Sequence, residues 1–124
     1  MALPEGLELV NDALGKPFIT LRNYFITFSK LAIEYLDYAP YIHMYINKEK
    51  RIAVIQACEH DAAAIPFFKE PEKGKQILVR IMNSQTSHRL MDVAGVDDCG
   101  KGIRYYGEYL PEDHAIVFDL SKGE

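Results

Sequence analysis

ITFSKLAIEYLDYAPYIHMYINKEKRIAVIQAC, residues 26–58, holds the pattern that decides the fold. Ser29 is a good N-cap for KLAIEYLDY, in which Ala32, Ile33, Tyr35 and Leu36 recur at helical spacing, and Pro40 stops the helix. YIHMYI and RIAVIQA then flank Asn47, Lys48, Glu49 and Lys50, a polar connection between two β-rich runs that predicts a hairpin. Ile42, Met44 and Ile46 alternate with Tyr41, His43 and Tyr45, so one hairpin face is aliphatic and the other aromatic. The expected order is a strand, a short capped helix and a hairpin. The first face should be fully buried and the second covered in part.

Upstream, FITLRNYFITF (18–28) is dense in β-branched and aromatic residues around Asn23, and reads either as two short strands about a turn or as one bent strand. Leu7, Leu9, Val10 and Leu14, ahead of Gly15 and Pro17, fit a helix or an extended arm equally. Downstream, residues 59–75 carry two prolines, a glycine and mixed charges, the composition of a connection; Ile65, Phe67 and Phe68 should pack it back onto the body. KQILVRIMN predicts a further strand, and Ser84, Gln85, Thr86 and Ser87 are cap candidates for HRLMDVAG, a short helix that Gly95 ends. GIRYYGEYL and HAIVFDL flank Pro111, Glu112 and Asp113 as a second hairpin.

The order therefore repeats. Laying Ser29 on Thr86 puts Ile33 on Leu90 and Leu36 on Val93, and a four-residue longer loop sets Ile42 on Ile103. The expectation is an α+β, β-rich single domain over residues 1–124, built from two strand-helix-hairpin halves, 18–58 and 76–120, joined by 59–75.

Bulk properties bound the function. At 48% hydrophobic and 26% charged, 124 residues suffice for one core without a disulfide or metal staple. Cys58 and Cys99 are isolated and read as free thiols in a reducing compartment. The first fifteen residues lack the basic start and apolar run of a secretory signal, and no stretch reaches the roughly 18 apolar residues of a bilayer span; a cytoplasmic protein is expected. Net charge is −4, yet residues 16–80 carry ten basic against seven acidic side chains. That central excess keeps a polyanionic partner open.

The stretch from Ile26 to Cys58 resembles the swapped-hairpin barrel of the AbrB, MazE and MraZ group of bacterial transcription factors and antitoxins. Ser29 opens the helix, Tyr38 ends it, Tyr41 to Ile46 matches the next strand and Ile52 to Ala57 the last. MraZ-like members carry two such halves, which the order from Ile77 to Leu120 matches; Asn23-Tyr24 stands where these families have a glycine-arginine turn. The chain is also similar to small uncharacterised proteins of Gram-positive bacteria. The resemblance implies a small DNA-associated regulator and places Arg22 and Lys30 near the barrel face; the partners left open are DNA, a second copy of the chain as a homodimer or oligomer, and another protein. Lys48, Lys50 and Arg51, at the hairpin turn, complete the DNA-binding set; the bland reading of these three is a solvated turn.

Other chemistry is thin. Cys58-Glu59-His60-Asp61 offers ligand types, but neighbours in sequence cannot all converge on a zinc ion. Asp97 to Gly102 lacks the GxxxxGK[ST] spacing of a phosphate loop, and Cys99 beside Lys101 is opposed by Asp97 and Asp98. His43 is expected as a packed imidazole on a strand, and no GxSxG elbow surrounds Ser84, Thr86 or Ser87. No nucleophile, base and oxyanion arrangement assembles, so neither an enzyme nor a cofactor nor a metal is expected. Eight tyrosines, among them Tyr35, Tyr38, Tyr41, Tyr45, Tyr105, Tyr106 and Tyr109, support the alternative of a protein-interaction or assembly module.

Overall fold

The computed structural model describes residues 16–74, 76 and 79–124. Residues 18–28 resolve into two strands, β1 (Phe18–Leu21) and β2 (Ile26–Phe28), about a turn in which the Arg22 amide donates to the Phe25 carbonyl at 3.0 Å. Ser29 caps α1 (Lys30–Tyr35): its hydroxyl accepts from the Ala32 amide at 3.2 Å and from the Phe18 amide at 3.0 Å, so one side chain closes the helix and ties it to β1. The helix unwinds through Asp37 and Tyr38, both at positive φ, before Pro40.

The predicted hairpin forms as β3 (Tyr41–Asn47) and β4 (Ile52–Cys58), fully in register from Tyr41 opposite Cys58 to Asn47 opposite Ile52. Its turn is one residue later than the composition indicated, because the Asn47 side chain accepts from the Lys50 amide and Arg51 takes a positive φ of 56°. The aliphatic face is not buried throughout: Ile42 is fully buried, Met44 half-buried and Ile46 exposed.

The connection after β4 contains a short strand, β5 (Ile65–Pro66), where composition indicated no regular element. Backbone bonds from Phe67 to Pro40 and from Phe68 to Ala39 fasten it to β3, and the buried Phe67 ring meets Phe28 edge-on at 4.9 Å. The packing-back expected of Ile65, Phe67 and Phe68 is thus present. Of the strand expected over 75–83 only β6 (Arg80–Ile81) forms among the described residues: Gln76, Val79 and Met82 are not in a strand and Asn83 caps the next helix, while Lys75, Ile77 and Leu78, like the whole segment before Lys16, lie outside the described residues.

The cap of α2 (Ser84–Ala94) is Asn83, one residue ahead of the serines and threonine proposed for it: its side-chain oxygen accepts from the Gln85 and Thr86 amides. Gly95, at φ 74°, ends the helix as predicted. A second hairpin follows, β7 (Ile103–Leu110) and β8 (Ala115–Asp119).

All pairings are antiparallel, and the eight strands run β5-β3-β4-β8-β7-β1-β2-β6 in a nearly closed, barrel-like sheet. Alternation sends Ile19, Leu21, Ile26, Phe28, Ile42, Ala53, Ile55, Ile81, Tyr105, Ile116 and Phe118 inward to one core, which Ile33, Leu36, Leu90 and Val93 complete from the helices. No helix among the described residues is long and apolar enough to cross a membrane.

Candidate nucleic-acid interface

Strand alternation fixes what the outer wall carries. In β1 the buried Ile19 and Leu21 alternate with the half-buried Phe18 and Thr20; in β2 Thr27 points out, in β6 Arg80, and in β7 Arg104 and Tyr106. Register then brings four of these into one line: Arg104 is opposite Thr20, Thr20 opposite Thr27, and Thr27 opposite Arg80. With neighbouring strands about 4.8 Å apart, this Arg-Thr-Thr-Arg row is roughly 14 Å long.

The arginines are held against aromatic rings. The Arg104 guanidinium carbon lies 4.0 Å from the Phe18 ring centre, and Arg80 and Arg22 lie 4.9 Å and 5.6 Å from that of Phe25. Arg22 also donates to the Lys101 carbonyl oxygen at 2.5 Å. Arg22, Lys101 and Arg104 surround a shallow pocket with Thr20 and Gly102, and Glu124, whose backbone pairs with that of Arg104, sits at its rim. Gly102, at φ 112°, is needed here: a methyl group at its Cα would stand 2.9 Å from the Thr20 side chain and 3.2 Å from the Arg22 guanidinium.

The loop bearing Lys101 is braced from the β1–β2 turn. Asn23 donates to Asp98 at 2.9 Å and accepts from the Cys99 amide at 2.8 Å, while Asp98 also accepts from the Gly100 amide. The Asn23 and Gly100 bonds hold the Asp98 carboxyl below the ordinary carboxylate value. Cys99 behaves as a core side chain: burial, then the neighbouring Asp98, push its thiol pKa up, so Lys101 does not activate it.

The residues singled out from the sequence are distributed over several places. Arg22 belongs to the pocket just described. Lys30 is exposed in the first turn of α1. Lys48 pairs with Asp92 of α2 at 3.0 Å, and the Arg51 guanidinium donates to the Ala94 carbonyl at the end of that helix. Lys50 lies on another groove, of about 600 Å³, where Lys16 and Lys122 are matched by Glu108, Asp119 and Glu124. Arg80, Lys101 and Arg104 were not picked out. The signal existed as alternation, Arg80 beside Ile81 and Arg104 between Ile103 and Tyr105, but only strand register shows that these residues share a line with Arg22's neighbours.

Elsewhere, His43 Nε2 and Asp61 Oδ2 are 2.8 Å apart and His60 meets the Tyr41 ring edge-on; among the described residues no group of three or more His, Cys, Asp or Glu could hold a metal. Cys58 and Cys99 are both free. Several tyrosines are engaged internally: Tyr35 stacks on Tyr109 at 4.6 Å, and Tyr38 meets Phe68. Comparison with protein-family models, curated proteins and solved structures gave no match to this chain.

Proposed function

We propose that the chain is a small cytoplasmic DNA-associated regulator that engages its nucleic acid through the outer wall of β7, β1, β2 and β6. The observation that carries this reading is the cross-strand line Arg104–Thr20–Thr27–Arg80, with Arg22 and Lys101 beside it. Guanidinium groups and threonine hydroxyls are the donors that phosphate oxygens take, and in the pocket three cations, Arg22, Lys101 and Arg104, meet one carboxylate, Glu124, despite a net charge of −4.

The swapped-hairpin part of the reading draws support from strand order. Exchanging β1 with β5, β2 with β6, β3 with β7 and β4 with β8 swaps β1–β7 with β3–β5 and β3–β4 with β7–β8 and returns β2–β6 and β4–β8 to themselves; β1–β2 is the exception, its counterpart joining the two sheet edges. Val54 opposite Val117 lies at the centre of that exchange. A duplicated strand-helix-hairpin accounts for this order.

The test is fluorescence anisotropy with mixed genomic DNA fragments across a salt series. Arg80→Glu with Arg104→Glu should weaken binding and reduce the salt slope by about 2, whereas Lys48→Glu with Lys50→Glu should change it little. Absence of binding at low salt removes the proposal. A second reading, a protein-assembly surface, rests on the outer wall of β3, β4 and β8, where Tyr45 (51% exposed) lies opposite Val54 and Val54 opposite Val117.

A further inference from the structure

Resting on that nucleic-acid reading, we infer that the wall of β7, β1, β2 and β6 takes an unpaired strand, with bases stacked on its arginine planes and on Tyr24. A duplex offers a protein phosphates and groove edges; its base faces are stacked inside the helix. Only unpaired bases present π-faces, and they stack on aromatic rings and guanidinium planes.

The wall is equipped for this. Phe18 and Phe25 lie under the guanidinium groups of Arg104, Arg80 and Arg22, which orders long side chains that would otherwise be mobile. Arg80 and Arg104 are exposed, so their outer faces remain open to a second planar group. Tyr24 supplies the second observation: it lies in the β1–β2 turn next to Phe25, is 68% exposed, and is tilted at 53° to the His88 ring 6.5 Å away. A ring held so far into solvent contributes little to the fold and offers an open face one residue from Phe25, whose ring carries Arg80 and Arg22. Thr20 and Thr27, between the two arginine ends, leave a low floor along which a backbone can run.

Either DNA or RNA supplies this chemistry. The experiment uses fluorescently labelled single strands of about 12 nucleotides, one DNA and one RNA of the same mixed sequence, beside the matching DNA duplex, at about 50 mM salt. At least one single strand should bind roughly tenfold or more tightly than the duplex, and the two arms identify the sugar preferred. Tyr24→Ala, an exposed change that leaves the core intact, should weaken the single strand by about tenfold and leave duplex affinity unchanged; Phe25→Leu, retaining apolar volume under Arg22 and Arg80, should act in the same direction. Duplex binding equal to or tighter than both single strands overturns the inference and leaves the DNA-binding proposal standing. So does single-strand affinity unchanged by both substitutions. Failure of all three probes to bind removes both.

Discussion

The Arg51 guanidinium donates to the main-chain carbonyl oxygen of Ala94, so a residue in the β3–β4 turn closes the last turn of α2. α2 has no basic residue of its own in that last turn, and a cation there answers both the open carbonyl and the negative end of the helix dipole. Because Arg51 sits at φ 56°, two effects of substitution separate. Arg51→Ala loses the bond and keeps the backbone strain, for a cost of about 1 to 2 kcal/mol; Arg51→Gly loses the bond but relaxes the backbone, and should cost about 1 kcal/mol less than alanine. Urea unfolding should rank wild type above glycine and glycine above alanine, with nucleic-acid affinity unaffected.

Gly107 marks where β7 changes partners, from β1 at Phe18–Tyr106 to β8 at Gly107–Phe118. A methyl group there would come within 2.8 Å of the Ile116 side chain, the Phe118 ring and the Val117 backbone oxygen, and the last of these cannot move without breaking the sheet. Gly107→Ala should therefore destabilise by about 2 to 3 kcal/mol, read as a lowered denaturation midpoint at unchanged m-value. Equal midpoints would mean that β8 shifts to accommodate the methyl group.

Ser87 is fully buried on α2, and its hydroxyl has no partner among the described residues. Desolvation without a compensating bond favours its removal, and alanine is also the better helix former. Ser87→Ala should raise stability by about 1 kcal/mol, an increase in thermal midpoint that a hydroxyl bound to a buried water would reverse.

How far the sequence carried these readings depended on whether a feature is local. Ser29, Gly95 and both hairpins were legible because a cap, a left-handed glycine and a turn each declare themselves within a few residues, whereas α1 ends at Tyr35, short of the Tyr38 end and Pro40 stop expected, because Asp37 and Tyr38 turn to positive φ. The α2 cap slipped from the Ser84–Ser87 group to Asn83 because several cap-competent residues adjoin, and only the amide geometry chooses among them. β5 was missed because two residues give no periodicity; its existence depends on β3 presenting an open edge. Arg51 and Lys48 looked like free turn cations until α2, some forty residues on, was placed beside them. The Arg104–Thr20–Thr27–Arg80 line joins four separate strands, and its information lies in register, which composition does not contain.

The loop that carries Lys101 should respond to acid. Asp98 is held below the ordinary carboxylate value by the bond from Asn23 and then by that from the Gly100 amide. A carboxyl whose folded pKa is depressed contributes stability that is fully present above its unfolded value, about 3.9, and is lost as pH falls through the lower folded value. Asp61 and Asp119 are lowered as well, the first chiefly by His43 and the second by Ser121, so all three contribute to the same acid limb. The Asp98 share is isolated by Asp98→Asn, whose side chain does not ionise. The variant's stability should vary less with pH below about 4 than the wild type's, while the two curves run parallel above pH 5. Site-resolved hydrogen exchange sharpens the reading, because the Gly100 amide should lose protection in the wild type over that acid range. If Gly100 keeps its protection below pH 3 and the two stability curves stay parallel throughout, Asp98 does not hold this loop, and Asn23 alone fixes Lys101 beside Arg22.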